Sequence, residues 1–106
     1  MKKITYNFKD RTAVITGGAQ GFGFDIAKRF LDSGANVIIW DMDAEMTDKA
    51  VKDLSNPNLS SNKIDVSNFK EVQECTNEIL KKTNIDILIN NAGITGPTAT
   101  LWEYDI

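Results

Sequence analysis

Apolar and polar positions along this chain switch between two periods. Thr12-Ala13-Val14-Ile15-Thr16 is a short, β-branched run followed by glycines, which reads as a buried strand. From Gly21 to Ser33 the apolar residues Phe22, Ile26, Ala27, Phe30 and Leu31 recur at helical spacing, and Gly34 supplies a stop. Asn36 to Trp40 reads as a second strand, ending at Asp41. Met46, Ala50 and Leu54 mark a second helix from about Asp43 to Leu54, closed by Ser55-Asn56-Pro57. Lys63 to Val66 is the third predicted strand. Ser67 or Asn68 then caps a third helix, with Glu71 placed as in a capping box and Phe69, Val72, Thr76, Ile79 and Leu80 as its predicted inward face. Ile85 to Ile89 is the fourth strand. After Asn90-Asn91-Ala92-Gly93 comes a Gly-Pro loop from Thr95 to Thr100, and Trp102 to Ile106 reads as the start of another helix.

The predicted order is β-α-β-α-β-α-β. Such alternation, with strands apolar on both faces, argues a doubly wound α/β architecture around a parallel sheet. Right-handed crossovers place the first two helices on one face and the third on the other. The expected strand order is 3-2-1-4. The order reverses between strands 1 and 4, so a ligand crevice is expected beyond their carboxyl ends.

Composition narrows the chemistry. With 106 residues, 42% hydrophobic and 25% charged, the chain suits one globular domain with no second one. Its net charge of -3 supplies no basic footprint, which argues against nucleic acid as a partner. There is no histidine, so a Ser-His-Asp triad and a His-ligated metal are excluded within these residues. The single cysteine, Cys75, has no internal disulfide partner, and a reducing cytoplasm fits it. Its expected role is structural, with no base to activate it. The longest uninterrupted apolar run, Val37 to Trp40, has four residues, against the roughly 20 that a membrane-spanning helix needs. No hydrophobic stretch follows the charged N-terminus, so no secretory signal is read there.

Three segments carry candidate chemistry. Thr16-Gly17-Gly18-Ala19-Gln20-Gly21-Phe22-Gly23 links the first strand to the first helix. A pyrophosphate approaches backbone closely only where side chains are absent, and the unpaired N–H groups of a helix start bind anions. The spacing is Gly-x-x-x-Gly-x-Gly, and no Lys-Ser/Thr pair follows to make a Walker loop. Glycines in such a turn also serve geometry alone, so that reading stays open. Asp41 ends the second strand 18 residues after Gly23. A carboxylate there accepts both hydroxyls of an adenosine ribose and repels a 2′-phosphate. Neither Gln20 nor the residues from Met42 to Glu45 offer a cationic clamp, which favours NAD over NADP. The alternative is that Asp41 or Asp43 merely caps the following helix. Asp65-Val66 lies near where an adenine would rest. Asn90-Asn91 places two amides at the end of an apolar strand, where they need hydrogen-bond partners, while Ala92 and Gly93 leave room for a ribose.

Together, Thr16-Gly17-x-x-x-Gly21-x-Gly23, Asp41, Asp65-Val66 and Asn90-Asn91-Ala92-Gly93 resemble the short-chain dehydrogenase/reductase family in order and spacing, from about Asp10 to Gly93. Phe22 replaces the aliphatic residue common in the family. The resemblance implies a Rossmann-type doubly wound parallel sheet and hydride transfer between an alcohol and a carbonyl with a nicotinamide dinucleotide. It implies that Gly17, Ala19, Gln20, Gly21, Phe22 and Gly23 hold the pyrophosphate and adjacent ribose. Asp41 and Met42 would hold the adenosine ribose, Asp65 and Val66 the adenine, and Asn91, Ala92 and Gly93 the cofactor further in. The family's catalytic Ser and Tyr-x-x-x-Lys have no counterpart. Tyr6 is followed four residues on by Asp10, and Tyr104 is two residues from the end. The expectation is therefore the N-terminal part of one NAD(P)-binding domain, four strands incomplete relative to the family.

Three functional readings follow: a dehydrogenase represented here by its cofactor half, a stand-alone dinucleotide-binding module, or a truncated product. In the first the catalytic residues lie outside the chain, and the 106 residues alone are expected to be inactive. The Thr95–Trp102 loop resembles those of 3-oxoacyl-thioester reductases and of sugar or polyol dehydrogenases. A homo-oligomer is expected. Ile85, Ile87, Leu88 and Ile89 would lie on or beside an unprotected sheet edge, which invites self-association.

Overall fold

A computed structural model describes residues 8–91 and the backbone of 103–105. Strand β1 (Thr12–Thr16) is the centre of the sheet, and all five of its residues are buried. Parallel neighbours flank it: β2 (Asn36–Asp41) on one side and β4 (Ile87–Asn90) on the other. Strand β3 (Leu59–Lys63) pairs parallel with β2. The four run in the expected order β3-β2-β1-β4. The two faces are covered as right-handed crossovers require. Helices α1 (Gly21–Asp32) and α2 (Ala44–Leu54) bury Ala27, Leu31 and Ala50 with Ala13, Ile15, Val37 and Ile39 on one face. On the other face α3 (Phe69–Leu80) lays Val72, Cys75 and Ile79 on Val14, Trp40 and Ile64.

Four expectations need correction. The third strand lies at Leu59–Lys63, earlier than Lys63–Val66. It is an edge strand that buries only Leu59, so Ser60, Ser61 and Asn62 give it almost no apolar signature. Asp65-Val66 therefore sits in the loop beyond it. The inward face of α3 was misassigned at its ends. Phe69 is 77% exposed and Leu80 51%, and no residue of α3 is fully buried. One stripe of a helix meets a flat sheet, here positions 72, 75 and 79, and the first and last turns overhang it. The segment expected to open another helix holds a short strand, β5 (Glu103–Asp105). It pairs antiparallel with β4, Leu88 opposite Tyr104, so β4 is not an edge and the described residues form a sheet of five strands. The chain returning past β4 supplies the backbone partners that the local pattern around Trp102 does not reveal. The fourth strand itself starts at Ile87, two residues later than expected. Asp86 instead clamps the entry to β1: its Oδ2 accepts from the Thr12 N–H at 2.9 Å, and its own N–H donates to the Thr12 carbonyl.

Candidate functional site

The carboxyl ends of β1 and β2 and the segment after β3 enclose a cleft of about 490 Å³. Of the residues singled out from the sequence, Gly17, Gln20, Asp41, Met42, Asp65, Val66 and Asn91 line it. Trp40, Ile64 and Ser67 line it as well, and the pattern reading passed over them as site residues. Their signal was adjacency. Trp40 precedes the acid at the strand end, and Ser67 sits two residues after Asp65, where a hydroxyl reaches back to a carboxylate. Ala19, Gly21, Phe22 and Gly23 form the turn and helix start behind this wall. Ala92, Gly93 and the Thr95–Trp102 loop lie outside the described residues.

The turn after β1 needs glycine at three places for two reasons. Gly17 and Gly21 have φ of +66° and +58°, in the left-handed region. No described residue lies within 4 Å of a Cβ at Gly21, so among the described residues the space over the helix start is open. A Cβ on Gly23 would instead strike the Gly17 carbonyl oxygen and come within 2.7 Å of Asn91 Nδ2. The bare backbone there lets α1 approach both the turn and the end of β4.

Helix α1 begins without a side-chain cap: Gln20 makes no capping bond, and no acidic residue occupies the first turn. Helix α2 is capped by Asp43, whose Oδ1 accepts from the Met46 N–H at 3.1 Å, and α3 by Asn68, which accepts from the Glu71 N–H at 3.2 Å. The positive end of the α1 dipole is thus not offset by a side-chain cap or by an acidic residue in the first turn.

The side chain that caps α2 is that of Asp43 and not that of Asp41. Asp41 Oδ2 accepts from the Ala19 N–H at 3.3 Å and its Oδ1 from the Asp43 N–H at 3.0 Å. These bonds tie the acid to the glycine turn. An ionised carboxylate has about four acceptor positions, so roughly two remain for hydroxyl donors in the cleft. Among the described residues the cleft wall carries two carboxylates, Asp41 and Asp65, and no Lys or Arg.

The end of β4 is locked to β1. Thr16 Oγ1 donates to Asn90 Oδ1 at 3.0 Å and accepts from the Asn91 N–H at 2.8 Å. A buried threonine thus supplies partners for this segment, ties the ends of β1 and β4 together and fixes Asn91 at the cleft. Trp40, 4% exposed, forms the floor on the α3 side. Among the described residues its Nε1 has no hydrogen-bond partner, and Cys75 packs in the same cluster. Burial pushes the Cys75 thiol up; the Trp40 indole opposes that shift and Glu78 adds to it. At the far end, the Ser67 hydroxyl and then the Ser67 N–H hold the Asp65 carboxyl below its ordinary value.

The strand order β3-β2-β1-β4 with helices on both faces, and a cleft at the carboxyl ends of the strands, make this a Rossmann-like α/β fold. The short chain dehydrogenase family model matches residues 11–105, and the chain belongs to that family. Among its relatives, the 3-oxoacyl-(acyl-carrier-protein) reductase FabG of Chlamydia pneumoniae is 40% identical over 88 residues, covering 80% of this chain and 36% of that protein. The 2-dehydro-3-deoxy-L-rhamnonate dehydrogenase (NAD(+)) of a Sphingomonas species is 30% identical over 107 residues, 100% of this chain and 42% of that protein. The solved RhlG/NADP active-site complex of Pseudomonas aeruginosa superposes with a TM-score of 0.77 at 30% identity, over 90% of this chain and 38% of that one. The chain spans about two-fifths of the length of these relatives.

Proposed function

We propose that the cleft holds a nicotinamide dinucleotide, NAD in preference to NADP, in an oxidoreductase acting on an alcohol or ketone. Asp41 carries this reading: it sits at the cleft with acceptor positions to spare, fastened to the glycine turn through the Ala19 N–H. The turn supports the fit, because the space over Gly21 is open and the α1 terminus lacks a side-chain cap. In this reading the backbone from Gly17 to Gly23 binds the pyrophosphate. Asp41 and Met42 hold the adenosine ribose, Asp65 and Val66 the adenine, and Asn91 with Ala92 and Gly93 the inner ribose. When bound, the dinucleotide supplies the hydride donor or acceptor.

The preference for NAD is electrostatic. A 2′-phosphate would meet Asp41 in a cleft wall that has no Lys or Arg among the described residues to offset the repulsion. Relatives of both kinds exist, one named for NAD(+) and one solved with NADP, so the local charge rather than the family supports the choice. Their names support a carbonyl of the 3-oxoacyl-thioester or sugar-acid kind as substrate.

The 106 residues contain no Tyr-x-x-x-Lys pair to move the substrate proton. In this reading the 106 residues by themselves bind the dinucleotide without turnover. The second reading, a binding module without catalysis, rests on the same absence. A cytoplasmic setting accompanies the first reading, supported by the free Cys75. So does a homo-oligomer, supported by the exposed Phe69 and Leu80 on the thinly covered α3 face.

Calorimetric titration with NAD and with NADP tests the cofactor assignment. NAD is expected to bind more tightly. Asp41→Ala should weaken NAD by about 1–3 kcal/mol, the scale of hydrogen bonds to a charged group, and leave NADP unchanged or tighter. Tighter binding of NADP by the wild-type protein would overturn the assignment.

A further inference from the structure

We propose that Met42 is a site of reversible oxidation to the sulfoxide by a small hydroperoxide, coupled to the cleft: a bound dinucleotide shields the sulfur, and the sulfoxide weakens the dinucleotide. The coupling rests on the dinucleotide reading above; the selective oxidation of Met42 does not.

The backbone holds Met42 at the rim. Asp43 N–H donates to Asp41 Oδ1 at 3.0 Å, closing a turn across Met42, and Asp43 Oδ1 accepts from the Met46 N–H at 3.1 Å. Both neighbours of Met42 are thus engaged, Asp41 with the glycine turn through Ala19 and Asp43 with α2. The Met42 side chain is left on the cleft wall, 62% exposed. An apolar side chain in that position gains burial when the cleft is occupied.

The sulfurs of the described residues belong to Met42, Met46 and Cys75, and their surroundings rank them. Met46 is half-buried and packs against the core beneath α1 and α2. Cys75 is half-buried beside Trp40, and burial pushes its thiol up, which withholds the thiolate that peroxides oxidise. A thioether reacts without losing a proton, so exposure decides between the methionines. In the reaction a lone pair of the Met42 sulfur attacks one peroxide oxygen. The S–O bond forms as the O–O bond breaks, and sulfur gives up two electrons to the peroxide. The departing hydroxide takes the proton of the transferred oxygen and leaves as water. The product turns the apolar end of the side chain into a polar acceptor. That oxygen stands beside Asp41 on a wall shared with Asp65, where the carboxylates also only accept. The wall loses an apolar contact and gains a group that must shed water when a ligand binds.

The test treats the full chain with hydrogen peroxide, with and without NAD, and follows each methionine by peptide mass spectrometry. NAD affinity is measured by calorimetry before oxidation, after it, and after repair by the two methionine sulfoxide reductases, one for each sulfoxide epimer. Met42 should oxidise about fivefold faster than Met46, and saturating NAD should slow Met42 by a similar factor while leaving Met46 unchanged. Oxidation should weaken NAD about fivefold, the scale of one or two lost methylene contacts, and repair should restore it. Met42→Leu, compared with itself before and after peroxide, should lose no affinity. Met42 oxidising no faster than Met46 would overturn the site. Absence of protection by NAD, an unchanged affinity after Met42 oxidation, or an equal loss in Met42→Leu would overturn the coupling. Failure of the untreated wild type to bind NAD would overturn the functional reading and the coupling with it, and the ratio of the two methionine rates then decides the site by itself.

Discussion

Gly23→Ala sets two opposing effects against each other. In the interior of an exposed helix the exchange stabilises by about 1 kcal/mol, because alanine loses less backbone entropy than glycine. Here the new methyl would collide with the Gly17 carbonyl oxygen, lie 2.9 Å from the Gly17 carbonyl carbon and 2.7 Å from Asn91 Nδ2. Two of those atoms are backbone, and Gly17 is fastened by its N–H to the Trp40 carbonyl at 2.7 Å. Neither can swing aside as a flexible side chain would, so α1 must move outward from the turn. Overpacking of this kind costs about 1–3 kcal/mol, and backbone displacement puts it toward the upper end. The expected net loss is about 1–2 kcal/mol, or about 5–15 °C in melting temperature for a domain near this size. Urea and thermal unfolding followed by circular dichroism measure it. The Asn91 side-chain amide resonances should shift in the same variant. Gly21→Ala is the comparison: it meets open space, and its cost comes only from the left-handed φ of +58°, with Asn91 undisturbed. A Gly23→Ala protein as stable as wild type, with Asn91 unmoved, would refute the close-approach argument.

Thr16→Val preserves shape but leaves Asn90 Oδ1 and the Asn91 N–H without the threonine hydroxyl. It should cost about 1–3 kcal/mol by urea denaturation, while Thr16→Ser stays near wild type. Asp65 has its carboxyl held below the ordinary value, so its contribution is present above about 3.8 and is lost as pH falls through the lowered pKa. The stability gap between wild type and Asp65→Asn should therefore be open at neutral pH and close in strong acid; a gap independent of pH would refute this. Burial raises the Cys75 thiol, so its contribution is intact below about 9.0 and lost as pH rises through the raised pKa. Thiol alkylation at pH 8 should accordingly run slower than for a free cysteine peptide, and an equal or faster rate would count against the packing of α3 on Trp40.

Local pattern was enough for β1, β2, α1 and α2, because each joins a strong period to a clear stop. Val14, Ile15, Val37 and Ile39 are buried on both faces of an inner pair of strands, and Gly34 and Pro57 end what precedes them. The glycine turn, Asp41 and Asn90-Asn91 were legible for a related reason. Their residue types are costly or useless where they stand unless backbone or a ligand meets them. Other features depended on contacts distant along the chain. The third strand was displaced because an edge strand buries one face only, and Leu59 is its single buried residue. The ends of α3 were misread because a regular helical period says which residues share a stripe, not how far the sheet beneath extends. Strand β5 is set by pairing with β4, which no local propensity near Trp102 encodes. The division of labour between Asp41 and Asp43 was likewise decided only in three dimensions. Both acids sit at the same strand end with the same chemistry, and the fold gives Asp43 the helix and Asp41 the turn and the cleft. Sequence determines which groups require partners; tertiary structure decides which partner each one reaches, because those bonds span as many as 75 residues of chain.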